Sequence, residues 1–109
     1  MQRKVFWATI EEGGTISNEI VDVAGYALAG VIVPANWTAG DISFIATLSA
    51  YEFPVYDIDG AQYVIDAVAG AFHAFPPNIT LPALGTFKVV SAVTQTGAAK
   101  KVGLVGVIA

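Results

Sequence analysis

The sequence lacks the residues from which most active sites are built. It has no cysteine and a single histidine in 109 residues. The absence of cysteine excludes disulfides, thiolate catalysis and cysteine-ligated zinc. His73 has no second histidine to share a metal and no serine–aspartate arrangement to complete a triad, so it is interpreted as an ordinary strand or loop residue. We predict a protein that is not an enzyme and that uses no metal or cofactor.

Basic residues and long apolar runs are also scarce. Five Lys and Arg against nine Asp and Glu give a net charge of −4, which argues against a nucleic-acid partner. The longest apolar run, "YALAGVIVPA", ends at Pro34, well short of the roughly 20 residues of a membrane helix. The N-terminus reaches Glu11 and Glu12 before any long apolar stretch, which does not fit a signal peptide. The predicted partners include neither nucleic acid nor membrane.

Apolar side chains, in contrast, are in excess. Hydrophobic residues make up 55% of the chain and charged residues 13%, about half the usual charged share. A domain of this length hides only about two-thirds of the surface that its unfolded chain exposes. The surplus is therefore expected to face a ligand or another protein.

Turn signals recur every 8 to 12 residues, which is the spacing of an all-β domain. The runs between them are rich in Val, Ile, Thr, Phe and Tyr, which favour strands. We predict an antiparallel β-sandwich of jelly-roll type with about eight strands. Residues 13–109 form the single sandwich domain, and residues 1–12 are either an N-terminal arm or an edge strand. The turn signals are Gly13-Gly14, Gly25, Pro34 to Gly40, Asp59-Gly60, Gly70, Pro76-Pro77, Pro82 to Gly85 and Gly97.

Individual strands are predicted from alternation. Residues 41–49 place apolar side chains at the even positions 42 to 48, which indicates a half-buried antiparallel strand. Residues 53–58 and 61–66 flank Asp59-Gly60, a two-residue hairpin signal. Residues 86–94 form a further alternating strand, and residues 19–23 a shorter one.

Two segments are apolar on both faces, Tyr26–Val33 and Val102–Ala109. Strands of this kind are usually covered by helices. Residues 61–75 are the only helix candidate, and their Tyr, Val, Ile and Phe content and Gly70 argue against one. The second face of these two strands is therefore predicted to be covered by a loop or by another subunit.

The same reasoning supplies candidate contact residues. The N-terminal stretch is apolar before its first turn, and Trp37 sits in a loop, where it either anchors a partner or folds back onto the core, the alternative we favour. The predicted interface residues are Val5, Phe6, Trp7, Tyr26, Leu28, Val31, Val33, Trp37, Leu104, Val105 and Val107.

Two pairs of acidic residues are candidates for metal binding or catalysis. Asp57, Asp59 and Gly60 begin like a calcium loop, but position 12 is Val68 where an EF-hand needs a bidentate Glu. The sequence therefore favours a turn. Glu11 and Glu12 adjoin a glycine turn, where solvent is the default environment, so we do not assign them to catalysis.

Several motifs resemble a family of small structural proteins of tailed bacteriophages. They are "ISNEIVDVAGYALAGVIVPANWTAGDISFIATLSA", then "FPVYDIDGAQYVIDAVAG", then "ITLPALGTFKVVSA", covering roughly residues 16–91. The segment between Ala50 and Phe53 departs from the pattern, and the C-terminal "VTQTGAAKKVGLVGVIA" matches less well. The resemblance implies a virion component, made in the host cytoplasm.

Combined with the apolar surplus, the resemblance favours a capsid cement or decoration protein on the outer surface of the head. Such a protein binds between subunits of the major capsid protein as a homo-oligomer, with a trimer favoured. An alternative is a carbohydrate- or receptor-binding module of a head fibre or tail, with Trp37, Tyr51 and Tyr56 as exposed aromatics. A third is a β-barrel whose apolar interior binds a small ligand.

Overall fold

The computed structural model describes residues 2–18, 21–23, 25–48, 51–75 and 86–108. These residues form nine strands and no helix, which confirms the predicted all-β class. The strands are β1 Gln2–Ile10, β2 Val21–Asp22, β3 Ala27–Ile32, β4 Ile42–Leu48, β5 Tyr51–Pro54, β6 Val64–Ile65, β7 Phe72–Ala74, β8 Thr86–Ser91 and β9 Lys100–Ile108.

The strands form two antiparallel sheets. The first sheet has the order β1-β9-β3-β7, and the second has the order β2-β8-β4-β5 with β6 also paired to β4. Strand β1 pairs with β9 along its whole length, from Gln2 opposite Ile108 to Ile10 opposite Lys100. The N-terminal stretch is therefore an edge strand of the first sheet rather than a free arm.

The pairings are nested along the chain. Strand β1 pairs with β9, β2 with β8, β3 with β7, and β4 with β6. Pairs β3–β9 and β4–β8 then join these units sideways into the two sheets. The strands of the first half of the chain therefore pair with those of the second half in reverse order, and successive pairs alternate between the two sheets.

The two sheets share one core, because alternate side chains of both point inward. Strand β4 buries Ile42, Phe44 and Ala46, as its alternation predicts; the side chain of Leu48 lies outside the described part. Phe44 packs edge-on against Phe87 of β8, with ring centroids 5.7 Å apart. The first sheet contributes Ala8, Ile10, Val31, Val102 and Leu104 to the same cluster.

The segment after β5 turns where the sequence predicts, and its two flanks pair across the turn through the N–H of Asp57 to the carbonyl of Ala61 at 2.7 Å and the N–H of Tyr63 to the carbonyl of Val55 at 2.9 Å. Gly60 has φ of 84° and donates its N–H to the carbonyl of Asp57 at 3.1 Å. The flanking strands are short, and both pair with β4: β5 lies along one half of it and β6 along the other. The residues between them form a small projecting hairpin, held by the bridge between Tyr56 and Gln62.

Some sequence predictions fall on residues outside the described ranges. They include the turns at Pro76-Pro77 and Pro82–Gly85 and the start of the short strand predicted over residues 19–23. Among the described residues, no helix has the length and apolar character needed to cross a membrane.

Candidate interaction surface

The outer face of the first sheet is apolar. Strand register places Trp7, Gly103, Ile32 and Phe72 in one row across its four strands. Val5, Val105, Gly30 and Ala74 form the adjacent row on the same face. We call this surface the apolar face and define it by its outward side chains Val5, Trp7, Ile32, Phe72, Val105 and Val107.

Two glycines on this face are overlaid by aromatic rings. A Cβ atom built on Gly103 would lie 2.9 Å from Cζ3 of Trp7, so the indole lies across the strand at that point. At Gly30, a Cβ would overlap the backbone carbonyl of His73 and the ring of Phe72. Both rings remain about half exposed, Trp7 at 52% and Phe72 at 54%. Each aromatic ring therefore lies over a glycine of a neighbouring strand and leaves about half of its surface for a partner to cover.

An irregularity in β3 sets which side chains point outward. The pairing with β9 shifts between Leu28, opposite Gly106, and Gly30, opposite Val105. One extra residue in a strand of this kind is a β-bulge, which switches the face reached by the residues beyond it. As a result Leu28 lies on the inner side, whereas Ile32 lies on the outer side beside Gly103.

The eleven predicted interface residues fall into three groups. Four lie on the apolar face: Val5, Trp7, Val105 and Val107. Three are half-buried on the inner side near one end of the sheet: Phe6, Tyr26 and Leu28. Four lie in the core: Val31, Val33, Trp37 and Leu104.

The prediction is corrected for the four core residues. Val31 and Leu104 have no exposed area because they oppose each other on the inner side of β3 and β9. Trp37 is 6% exposed, and its Nε1–H donates to the carbonyl of Gly40 at 3.0 Å. The indole thus folds back onto the core, which is the alternative favoured from the sequence, and it presents no ring to a partner.

Sequence reasoning missed Ile32 and Phe72. Ile32 stands between two other aliphatic residues, so the pattern alone does not reveal which of them points outward. Phe72 lies in the short strand β7, where three residues carry too little alternation to assign a face. The usable signal was glycine in the neighbouring strands, because a strand glycine often marks a close approach by another group.

The outer face of the second sheet is different in chemistry. Thr47 and Thr86 bring their hydroxyl oxygens within 2.7 Å of each other, and the Thr86 hydroxyl donates to the Thr47 carbonyl at 2.8 Å. Lys88 Nζ lies 3.1 Å from Glu52 Oε2. These polar pairs satisfy one another, and they share the face with the apolar residues Ile45, Val90 and Val64, of which Val64 is 42% exposed. This face is therefore mixed in chemistry, whereas the apolar face has exposed aromatic rings.

A second set of exposed apolar side chains lies at the edge strand β5 and the projecting hairpin. Tyr51, Phe53, Tyr56 and Ile58 are 69%, 48%, 57% and 82% exposed. The rings of Tyr51 and Phe53 are tilted neighbours, with centroids 6.3 Å apart. We call residues 51–66 the acidic edge, because they include Glu52, Asp57, Asp59 and Asp66 and no Lys or Arg.

The residues considered as candidates for catalysis or metal binding make hydrogen bonds within the fold. His73 Nε2 accepts the N–H of Val68 at 3.0 Å, which holds the turn before β7. Asp57 Oδ1 accepts the N–H of Asp59 at 2.9 Å and that of Ala61 at 3.1 Å, a side-chain-capped turn. Glu11 accepts a hydrogen bond from the side chain of Asn18 at 2.8 Å. Within the described ranges, no group of three His, Asp or Glu side chains could hold a metal ion.

One titratable group is perturbed by its position. Burial raises the pKa of Tyr63 above its usual value of 10.0, because the ionised phenolate would lose solvation. Its ring lies parallel to that of Phe44 at 6.0 Å, near the rim of the core. The shift is thus an effect of the ring packing that buries Tyr63.

Comparison with known proteins adds no relative. No family model matches the chain, and neither a curated protein nor a solved structure matches it. The surfaces described above are therefore the basis for a functional proposal.

Proposed function

We propose that the chain is a structural protein of a phage particle, a capsid cement that clamps neighbouring subunits of the major capsid protein on the outside of the head. The observation that carries the proposal is the apolar face, with Trp7 and Phe72 each about half exposed. Its contribution is passive binding, since an apolar surface removed from water stabilises whatever assembly covers it.

The strand order supports a jelly-roll β-sandwich as the scaffold. A jelly roll is an eight-stranded, two-sheet arrangement of two Greek keys. Nested pairing of first with last strand, second with next-to-last and so on inward produces that arrangement, and β1–β9, β2–β8, β3–β7 and β4–β6 follow it. Strand β5, which also pairs with β4, is the one strand beyond eight.

The exposed area of Trp7 and Phe72 is too small to form a stable interface by itself, so the apolar face is proposed to act as part of a larger contact. Fully burying an aromatic side chain removes about 150–250 Å² from water, so the exposed halves of Trp7 and Phe72 supply about 200 Å² together. A stable interface needs about 800 Å² per partner. The face is therefore proposed to be covered by a homo-oligomeric neighbour, while other surfaces of the oligomer contact the capsid protein.

The test is binding to heads. Purified chain is added to phage heads prepared without it, and we expect saturable binding and a higher temperature of DNA release. Ile32→Asp, which places a charge on the apolar face, is expected to lower occupancy, whereas Ile45→Asp on the second sheet is not. Heads that take up no chain, or that take it up without any gain in stability, would contradict the proposal.

A second candidate is a carbohydrate-binding module of a fibre or tail. It is favoured by the exposure of Tyr51 and Tyr56 beside carboxylates that could accept sugar hydroxyls. The burial of Trp37 removes the third aromatic from this candidate site. Glycan titration followed by tyrosine fluorescence tests it: a saturable change lost in Tyr51→Ala supports it, and no change across a broad glycan set excludes it for those sugars.

A further inference from the structure

The two exposed apolar surfaces carry opposite charge. On the apolar face, the outward positions of the strands include Arg3 and Lys101 and no carboxylate. Lys4 and Lys100 point to the other side of this sheet, where Lys100 is buried and its Nζ donates to the carbonyl of Thr96 at 2.7 Å. The outward strand positions of the apolar face therefore carry two cations and no anion, in a protein of net charge −4.

The acidic edge has the complementary character. Residues 51–66 hold four carboxylates and no cation of their own, and Lys88 reaches only one of them, Glu52. The aromatic rings of Tyr51 and Phe53 share the side of β5 that continues the core side of β4, since Phe53 opposes Ala46. They stay about half or more exposed, so this edge too presents rings that nothing in the described chain covers.

We propose that copies of the chain associate head to tail, with the apolar face of one copy seated on the acidic edge of the next. The inference rests on the proposed homo-oligomer and specifies its geometry. A two-fold contact of apolar face with apolar face would set against each other two surfaces that each carry Arg3 and Lys101 and no carboxylate, and like charges across an interface are costly. It would also leave Tyr51 and Phe53 in water.

Head-to-tail contact resolves both problems. It places Arg3 and Lys101 against Asp59 and Asp66, and it covers both sets of aromatic rings. A contact that uses two different patches continues from copy to copy and closes into a ring when the rotation allows. Such a ring is consistent with the trimer expected for the cement protein.

The experiment uses two variants, each lacking one of the patches. The face variant is Trp7→Thr with Phe72→Thr, and the edge variant is Tyr51→Thr with Phe53→Thr; threonine keeps strand preference. Masses are measured by sedimentation at matched concentrations, after circular dichroism has shown that each variant is folded. We expect the wild type to associate, each variant alone to be monomeric, and the equimolar mixture to form one-to-one pairs.

Several results would overturn the inference. A mixture that stays monomeric while the wild type associates excludes head-to-tail contact, and an edge variant that keeps the wild-type mass indicates a face-to-face pair. A wild-type chain that is monomeric at every concentration overturns it as well. Head binding is measured separately, so a failed cement role with successful mixing, or the reverse, is recognised as such.

A charge exchange gives a second measurement that does not alter the apolar residues. Arg3→Glu with Lys101→Glu, or Asp59→Lys with Asp66→Lys, is expected to weaken association at low salt about tenfold or more. The chain carrying all four changes should recover most of the wild-type affinity, because the complementarity is restored in reverse. All four residues are exposed, so we expect each variant to fold, which circular dichroism checks. Failure of the fourfold variant to recover would contradict the proposal.

Discussion

The two sheets of this protein use the same backbone plan and differ in their outer faces. The first sheet presents the aromatic rings of Trp7 and Phe72 to solvent, whereas the second presents a threonine pair and the Lys88–Glu52 ion pair among aliphatic residues. Both sheets contribute apolar side chains to the shared core. The difference shows that apolar content in a strand serves two separate purposes here, folding on one side and contact on the other.

The clearest way to separate these purposes is a matched pair of substitutions on one strand. Val31 is fully buried and Ile32, its neighbour, faces outward. Val31→Asp places an unpaired charge in the core, so we expect a loss of at least about 4 kcal/mol and an unfolded chain. Ile32→Asp should cost about 1–2 kcal/mol and remain folded. Urea titration measures both; equal losses would mean that the assignment of faces in β3 is incorrect.

A second prediction concerns the close approach at Gly30. An added Cβ there would overlap the backbone carbonyl of His73, which a side-chain rotation cannot relieve. Gly30→Ala should therefore destabilise the chain by about 1–3 kcal/mol and displace Phe72. At Gly103 the added methyl meets side-chain atoms of Trp7 and Val5 instead, so Gly103→Ala should cost less. Thermal unfolding in the opposite order would contradict the contacts described.

A third prediction compares the outer faces directly. Ile32 and Ile45 are both half-buried isoleucines on the outer side of their sheets. Threonine at either position keeps β-branching, so each change should cost about 1 kcal/mol or less. Only Ile32→Thr should weaken self-association in sedimentation. Equal weakening by Ile45→Thr would assign the contact to both sheets.

The smallest effect is expected at the ion pair of the second sheet. Lys88 and Glu52 are partly exposed, with side-chain exposures of 24% and 52%. Lys88→Gln should cost about 0.2–1 kcal/mol at low salt and less at high salt, because exposed charges are screened. Melting temperatures at two salt concentrations measure the difference, and a salt-independent loss would indicate that Lys88 acts through packing alone.

The all-β class, the alternation of β4 and the turn at Gly60 could be predicted from the sequence. The alternation and the turn each depend on a pattern within one short segment, and the class depends on the regular recurrence of turn signals along the chain. The face reached by Val31 and Ile32 could not be predicted, because both are apolar and the bulge near Ala29 is set by pairing with β9. The flanks of the Gly60 turn pair with each other over residues 55–57 and 61–63, as the local signal predicts. That β5 and β6 also pair with β4 is a long-range choice that local patterns do not encode.

Trp7 itself reports on the central claim, that the apolar face is covered by another copy of the chain. In Trp37→Phe, Trp7 is the only tryptophan, and its quenching by acrylamide is measured as protein concentration rises. We expect strong quenching when the protein is dilute and progressive protection, with a blue-shifted emission, as copies associate. Quenching that stays constant while the oligomer forms would show that association uses another surface.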